Sequence, residues 1–150
     1  MLKFHPLKAE ELAALDWQNQ PLAAELPSPD FAAKSLAEGN MLLTIFEEGK
    51  PIGMLELKQQ PTDGKPRCAV VGTVVLLPAY RRHGLGRMLM AIAASTVAER
   101  GIWFLAGDVP DTPEARGFAA AIHMKQTQWY EDLWLLDLSD VEGLRYGNGK

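Results

Sequence analysis

The chain has 150 residues, a formal net charge of −4 at pH 7, 47% hydrophobic residues and 23% charged ones. That length predicts one domain, residues 1–150, with one sizeable core, and the composition excludes global disorder. An acidic balance gives no general attraction to nucleic acid or to an anionic membrane. No stretch approaches the ~18 apolar residues of a membrane helix, and the opening MLKFHPLKAEELAAL lacks the apolar run of a secretory leader. Cys68 is the single cysteine, which excludes an intramolecular disulfide and a cysteine-based metal site, and suits a reducing cytoplasm. No metal is expected.

In chain order, residues 8–18 put Leu12, Leu15 and Trp17 at helical spacing, with Glu10 and Glu11 in the first turn, where acids favour the positive helix end. Gln20-Pro21 breaks the pattern, and a second helix starts at Ser28 or Asp30, turns Phe31 and Leu36 inward, and stops at Gly39-Asn40. Residues 41–46 and 52–58, joined by a turn at EEGKP, predict a hairpin. The polar, proline-containing run 59–67 reads as a surface loop. Residues 68–77, CAVVGTVVLL, are apolar almost throughout, the pattern of a central strand buried on both faces, with Cys68 a small buried side chain; Pro78 ends it. A helix over 84–100 follows from Leu85, Met88, Leu89, Ile92 and Thr96, and Gly101 stops it. Residues 102–107 form a strand parallel to 68–77 by crossover. Thr112-Pro113-Glu114 opens a further helix with Ala115, Phe118, Ala119 and Ile122 as its stripe, and 128–138 read as one or two closing strands. The order α, α, β, β, β, α, β, α, β predicts a mixed α/β or α+β fold with helices covering a sheet.

One loop carries chemistry. A buried strand runs into Arg81-Arg82-His83-Gly84-Leu85-Gly86-Arg87, and a helix leaves it. The first turn of a helix has amides without intrahelical partners and carries partial positive charge, so an anion bound there meets both. Gly84 and Gly86 remove side chains that would keep a pyrophosphate from the backbone, and arginines add donors in a fork that fits phosphate oxygens. A P-loop would need GxxxxGK followed by Ser or Thr, which is absent; GxGxxG begins at Gly84-Leu85-Gly86 but fails at Leu89.

The run Val74-Val75-Leu76-Leu77-Pro78-Ala79-Tyr80, then Arg81-x-x-Gly84-x-Gly86 with Leu89 in the helix, resembles the acetyl-CoA signature of the GCN5-related N-acetyltransferases. The resemblance is specific over residues 70–90 and looser, through element order, over 41–124. It implies the acyl-CoA N-acyltransferase fold: a mostly antiparallel sheet with one parallel pair of strands splayed like a V, and helices on both faces. It implies acetyl-CoA as co-substrate, with Leu76 and Leu77 lending free backbone groups to the pantetheine arm. Arg81, Arg82, His83, Gly84, Leu85, Gly86 and Arg87 would form the pyrophosphate loop, Arg81 also serving its shape. The implied reaction moves an acetyl group from a thioester to a primary amine of a small molecule or protein. It needs a neutral amine, donors for the oxyanion, and a proton for the leaving thiolate.

The chain departs from the family pattern where that proton would come from. The helix that often ends Tyr-x-x-x-Gly-Phe has Ala119, His123 and Met124 at those positions, and the central strand lacks the carboxylate that often acts as base. Glu56 on the neighbouring strand is the candidate base, and Tyr130 the candidate acid; the plainer readings are an exposed strand carboxylate and a core aromatic. His123 and Asp108 are weaker candidates, and Trp17, Trp103, Trp129 and Trp134 read as core rather than as a substrate cage. The missing tyrosine keeps a second reading open, a non-catalytic acetyl-CoA sensor that binds a partner protein, as some short relatives do. The apolar C-terminal strand offers a route to a homodimer.

Overall fold

The computed structural model describes residues 1–58, 68–100, 104–108, 113–121, 124–126 and 133–137. A hairpin seeds the sheet. Strands β2 (Met41–Glu47) and β3 (Lys50–Lys58) join through Glu48 at φ 51° and Gly49 at φ 80°. Two successive left-handed residues make the turn whose twist matches that of the flanking strands. A strand not foreseen from the sequence, β1 (Leu2–Pro6), adds antiparallel to β2. Its own burial is slight, which is why no hydrophobic pattern announced it.

The helical segment expected over residues 8–18 is shorter. Helix α1 (Ala9–Ala14) starts with the Glu11 carboxylate accepting the Lys8 N–H at 2.8 Å, a partner for an amide that the helix leaves orphaned. Asp16 then turns left-handed at φ 50°, and a 3₁₀ turn at Trp17–Asn19 puts Trp17 into the core. Pro21, expected only to break a helix, instead opens the short α2 (Pro21–Ala24), since proline suits a first helical position. Helix α3 (Phe31–Ala37) ends as expected, with Gly39 left-handed at φ 87°.

Strand β4 (Cys68–Leu76) pairs antiparallel with β3. Helix α4 (Leu85–Ala98) crosses back over the sheet to β5 (Phe104–Asp108), which is parallel to β4. Helix α5 (Pro113–Ala121) and the antiparallel strands β6 (Lys125–Gln126) and β7 (Leu133–Asp137) complete the order β1-β2-β3-β4-β5-β7-β6. Every neighbouring pair is antiparallel except β4–β5.

The two-residue period of the strands divides the core into two layers. Leu43, Ile45, Leu55 and Leu57 face one side and pack under Leu89, Met90 and Ala94 of α4. Leu42, Phe46 and Met54 face the other and lie under Trp17, Leu22 and Ala32 from the N-terminal helices. The chain therefore has helices on both faces of a mixed sheet. Among the described residues no helix is long and apolar enough to cross a membrane.

The central strand is not buried on both faces along its length. Ala69 and Val71 are buried, but Gly72 is exposed and Thr73 to Leu76 are half-buried. The parallel pairing covers only Cys68–Val71 against Phe104–Gly107, so β4 runs on to Leu76 with no β5 partner among the described residues. Truncating the fully buried Leu55 to alanine should lower the unfolding free energy by about 2–5 kcal/mol, read from urea denaturation.

Candidate active site

Two features meet along the free half of β4. The first is the anion mouth at its end. After Leu76 the chain makes a 3₁₀ turn at Pro78–Tyr80, and Arg82 adopts φ 65°. Gly84 caps α4 at φ 80°, with nothing near enough to restrict a side chain, so conformation alone asks for glycine there. The first intrahelical bond runs from the Met88 N–H to the Gly84 carbonyl at 3.1 Å. The N–H groups of Leu85, Gly86 and Arg87 thus precede the helical ladder, and left-handed turns beside a helix start gather amides into an anion-binding concavity.

Gly86 differs from its sequence-based reading. It is buried, and a Cβ on it would lie 2.9 Å from Phe118 Cε1 on α5. Its bareness lets α4 approach α5. The basic side chains divide as well. Arg81 donates from Nε to the Leu76 carbonyl and from Nη2 to Glu25, which follows α2, both at 3.1 Å. Arg87 donates to the Ala121 carbonyl at 2.6 Å, at the negative end of α5. Arg82 and His83 are exposed on the loop, while Leu85 is core.

Leu76 and Leu77 are not equivalent. The Leu77 N–H donates to Ile52 O at 2.9 Å, and its carbonyl accepts from the Tyr80 N–H at 2.9 Å. Both of its backbone groups are therefore engaged within the protein, contrary to the expectation of free groups, because Leu77 still follows the β3 ladder. Backbone direction alternates along a strand, so Leu76 turns its amide toward the gap. The Leu76 carbonyl is held by Arg81.

The second feature lies where the strands part. Between Leu55↔Val74 and Leu57↔Val71 the register slips, so Gly72 and Thr73 of β4 stand opposite the single residue Glu56 of β3. Glu56 is not the exposed strand carboxylate of the plainer reading; it is 3% exposed. Ser35 of α3 donates its hydroxyl to Glu56 Oε2 at 2.5 Å, Asn40 Nδ2 donates to Ser35 Oγ at 3.2 Å, and Lys58 Nζ is 3.8 Å from Glu56 Oε1. A Cβ on Gly72 would fall 2.0 Å from Glu56 Oε1. The carboxylate from β3 fills the space that a β4 side chain would take, beside an exposed glycine just past the end of the β4–β5 pairing.

Ser35, Asn40 and Gly72 were not singled out from the sequence, though two signals were present. Ser35 is a polar residue on the inward stripe of α3, three positions from Ala32. Gly72 interrupts a valine run, which in a strand marks a bulge or a close approach. Ala119 is 1% exposed and packs with the α4-side core. Tyr130 and His123 lie outside the described residues; Asp108 closes β5, opposite Leu133.

This architecture is the acyl-CoA N-acyltransferase fold. The model of the acetyltransferase (GNAT) family matches residues 9–123, and the chain belongs to that family. None of the curated protein sequences matches it. Solved structures that resemble it include the ribosomal-protein-S18-alanine N-acetyltransferase from Escherichia coli, 19% identical, with TM-score 0.67 over 90% of this chain and 91% of that one. The PaiA N-acetyltransferase from Thermoplasma acidophilum, in complex with coenzyme A, is 16% identical, with TM-score 0.66 over 90% and 96%. A tandem GNAT protein from the clavulanic acid biosynthesis pathway is 24% identical, with TM-score 0.68 over 85% of this chain; the chain spans only 45% of that protein.

Two outcomes test the site's geometry. Gly72→Ala should expel the Glu56 carboxylate and lower stability by about 1–3 kcal/mol, measured by urea denaturation. Tyr80 donates its O–H to the Glu47 carboxylate. That hydrogen bond first, then burial and the charge of Glu47, raises the Tyr80 pKa. The folded value lies above the unfolded one, so this contribution to stability is present below the ordinary tyrosine value of about 10 and is lost as pH rises through the folded value. The ultraviolet difference titration between the wild type and Tyr80→Phe should place ionisation above that value, and Glu47→Gln should move it back down.

Proposed function

We propose that the chain transfers an acetyl group from acetyl-CoA to a primary amine. The observation that carries this reading is the continuity of the free half of β4 with the Gly84-capped start of α4. A diphosphate seated on the amides of Arg82 to Arg87 would direct its pantetheine arm back along the edge of β4. In this reading the Leu76 amide would pair with that arm, and the thioester would come to lie beside Gly72. Acetyl-CoA supplies the activated acyl group, and the neighbouring side chains handle protons. In this reading Glu56 Oε1 takes the proton of the acceptor ammonium, so that the neutral amine can attack the thioester carbonyl. The departing thiolate needs a proton, which Ala119 cannot give; Tyr130 is the acid we assign on sequence grounds. Positioning along β4 supplies much of the remaining rate.

The acceptor is a small-molecule or protein amine. The buried Ala119 favours the second reading, an acetyl-CoA sensor that acts through a partner protein. The AtaT toxin, a similar structure at TM-score 0.70 and 15% identity, was solved bound to the C-terminus of its antitoxin AtaR, so this fold also supports protein partners. We further propose a cytoplasmic protein; the homodimer expected through the last strand is not supported, since β7 already lies between β5 and β6 in the sheet.

Thiol release from acetyl-CoA over a panel of primary amines separates the readings. An enzyme should turn over at least one amine, whereas a sensor should bind acetyl-CoA and release no thiol with any. Gly86→Glu should abolish coenzyme A binding in calorimetry, because it puts a carboxylate at the anion mouth and crowds Phe118. Because the substitution also crowds Phe118 on α5, the melting temperature should fall, and the calorimetry is read below that melt, where far-UV circular dichroism still shows the folded chain.

A further inference from the structure

We propose that Ser35 is a positioning residue for the acetyl transfer: it ties helix α3 to Glu56 so that one carboxylate oxygen, Oε1, is presented over Gly72. This rests on the acetyltransferase reading. Glu56 has two oxygens in different surroundings. Oε2 accepts the Ser35 hydroxyl at 2.5 Å, and Ser35 Oγ in turn accepts from Asn40 Nδ2 at 3.2 Å. Ser35 is 2% exposed, Glu56 3% and Asn40 8%, so this chain of donors is shielded from the water that would otherwise solvate a carboxylate on every side. Oε1 lies against the backbone of Gly72, with Lys58 Nζ at 3.8 Å. Lys58 is the charged group that faces the carboxylate among the described residues; its side chain is 42% exposed.

The geometry divides the labour between the two oxygens. A hydroxyl donor on Oε2 fixes the rotation of the carboxylate about its last torsion, which is otherwise broad. Oε1 is then the oxygen left to meet an acceptor cation that comes in past the exposed glycine. The proton moves from the acceptor nitrogen to Glu56 Oε1, the freed lone pair forms the bond to the acyl carbon, and the C–S bond breaks so that coenzyme A leaves as the thiolate, which then takes up a proton. Ser35 keeps its own proton throughout and touches neither substrate. The same contact ties the N-terminal helical layer to the Glu56 carboxylate, since α3 belongs to the layer that covers this face of the sheet.

The test is a double-mutant cycle on the full chain, with acetyl-CoA and whichever of ethanolamine, tyramine and spermidine gives the fastest thiol release with the wild type. Ser35→Ala should lower kcat about ten- to a hundred-fold and leave the acetyl-CoA KM within two-fold. Ser35→Thr, which keeps a hydroxyl, should recover most of the loss. In the Glu56→Gln background, Ser35→Ala should cause no further loss, because Ser35 acts through Glu56. Thermal melts with acetyl-CoA report the folded fraction, to which each kcat is normalised. Should Ser35→Ala be too unstable to assay, Asn40→Ala, which loosens the same hydroxyl, takes its place in the cycle. An unchanged normalised kcat, or equal losses in the two backgrounds, overturns the positioning role while the acetyltransferase reading stands. Absence of thiol release by the wild type with all three amines removes the acetyltransferase reading and this role together.

Discussion

The end of the β4–β5 pairing at Val71 and Gly107 is the constraint on which the rest of the site depends. The two parallel strands pair over four residues, and β4 continues past them to Leu76 with backbone groups that must find other partners. The protein meets part of that demand itself: Arg81 holds the Leu76 carbonyl, and Ile52 and Tyr80 take both groups of Leu77. Among the described residues no strand pairs with the rest of that edge. The slip in register at Gly72 and Thr73 sits where the parallel pairing ends. An extra residue in one strand bends it and increases its local twist.

Each end of this free edge is supplied by a different layer. Helix α4 starts where β4 ends and offers amides at the positive end of a 14-residue dipole. Below, the carboxylate of Glu56 comes from β3 and is held by α3, from the opposite layer. A buried carboxylate is costly without donors, and the Ser35 hydroxyl and the Lys58 ammonium offset that cost. Gly72 is the condition for the arrangement, since a side chain there and the Glu56 carboxylate cannot share one space. A charged site is thereby built from short-range contacts in a chain whose overall charge is negative.

Much of this was legible in the sequence where a local rule and the tertiary fold agree. The valine-rich strand, the glycine-capped helix and the crossover back to a parallel strand follow from periodicity and from glycine conformation, and they carry the family motif with them. Strand β1 was not legible, because an edge strand with half-exposed residues shows no clean alternation. The helical pattern of residues 8–18 was cut short by a left-handed Asp16, which no propensity foretells. Glu56 is a candidate base in the sequence, but its burial is not legible there, because it depends on α3 folding over it, a contact 21 residues away in sequence. Gly86 was assigned to ligand approach, whereas its closest neighbour is Phe118, which only the packing of α5 reveals.

Amide chemical shifts recorded during titration with coenzyme A test the central claim most directly. Perturbation should concentrate at the backbone N–H groups of Leu76 and of Arg82 through Arg87, with Leu77 little changed because its amide is already paired with Ile52. Saturable binding with those amides unmoved, and shifts clustered elsewhere on the sheet or helices, would contradict a diphosphate seated at the mouth of α4.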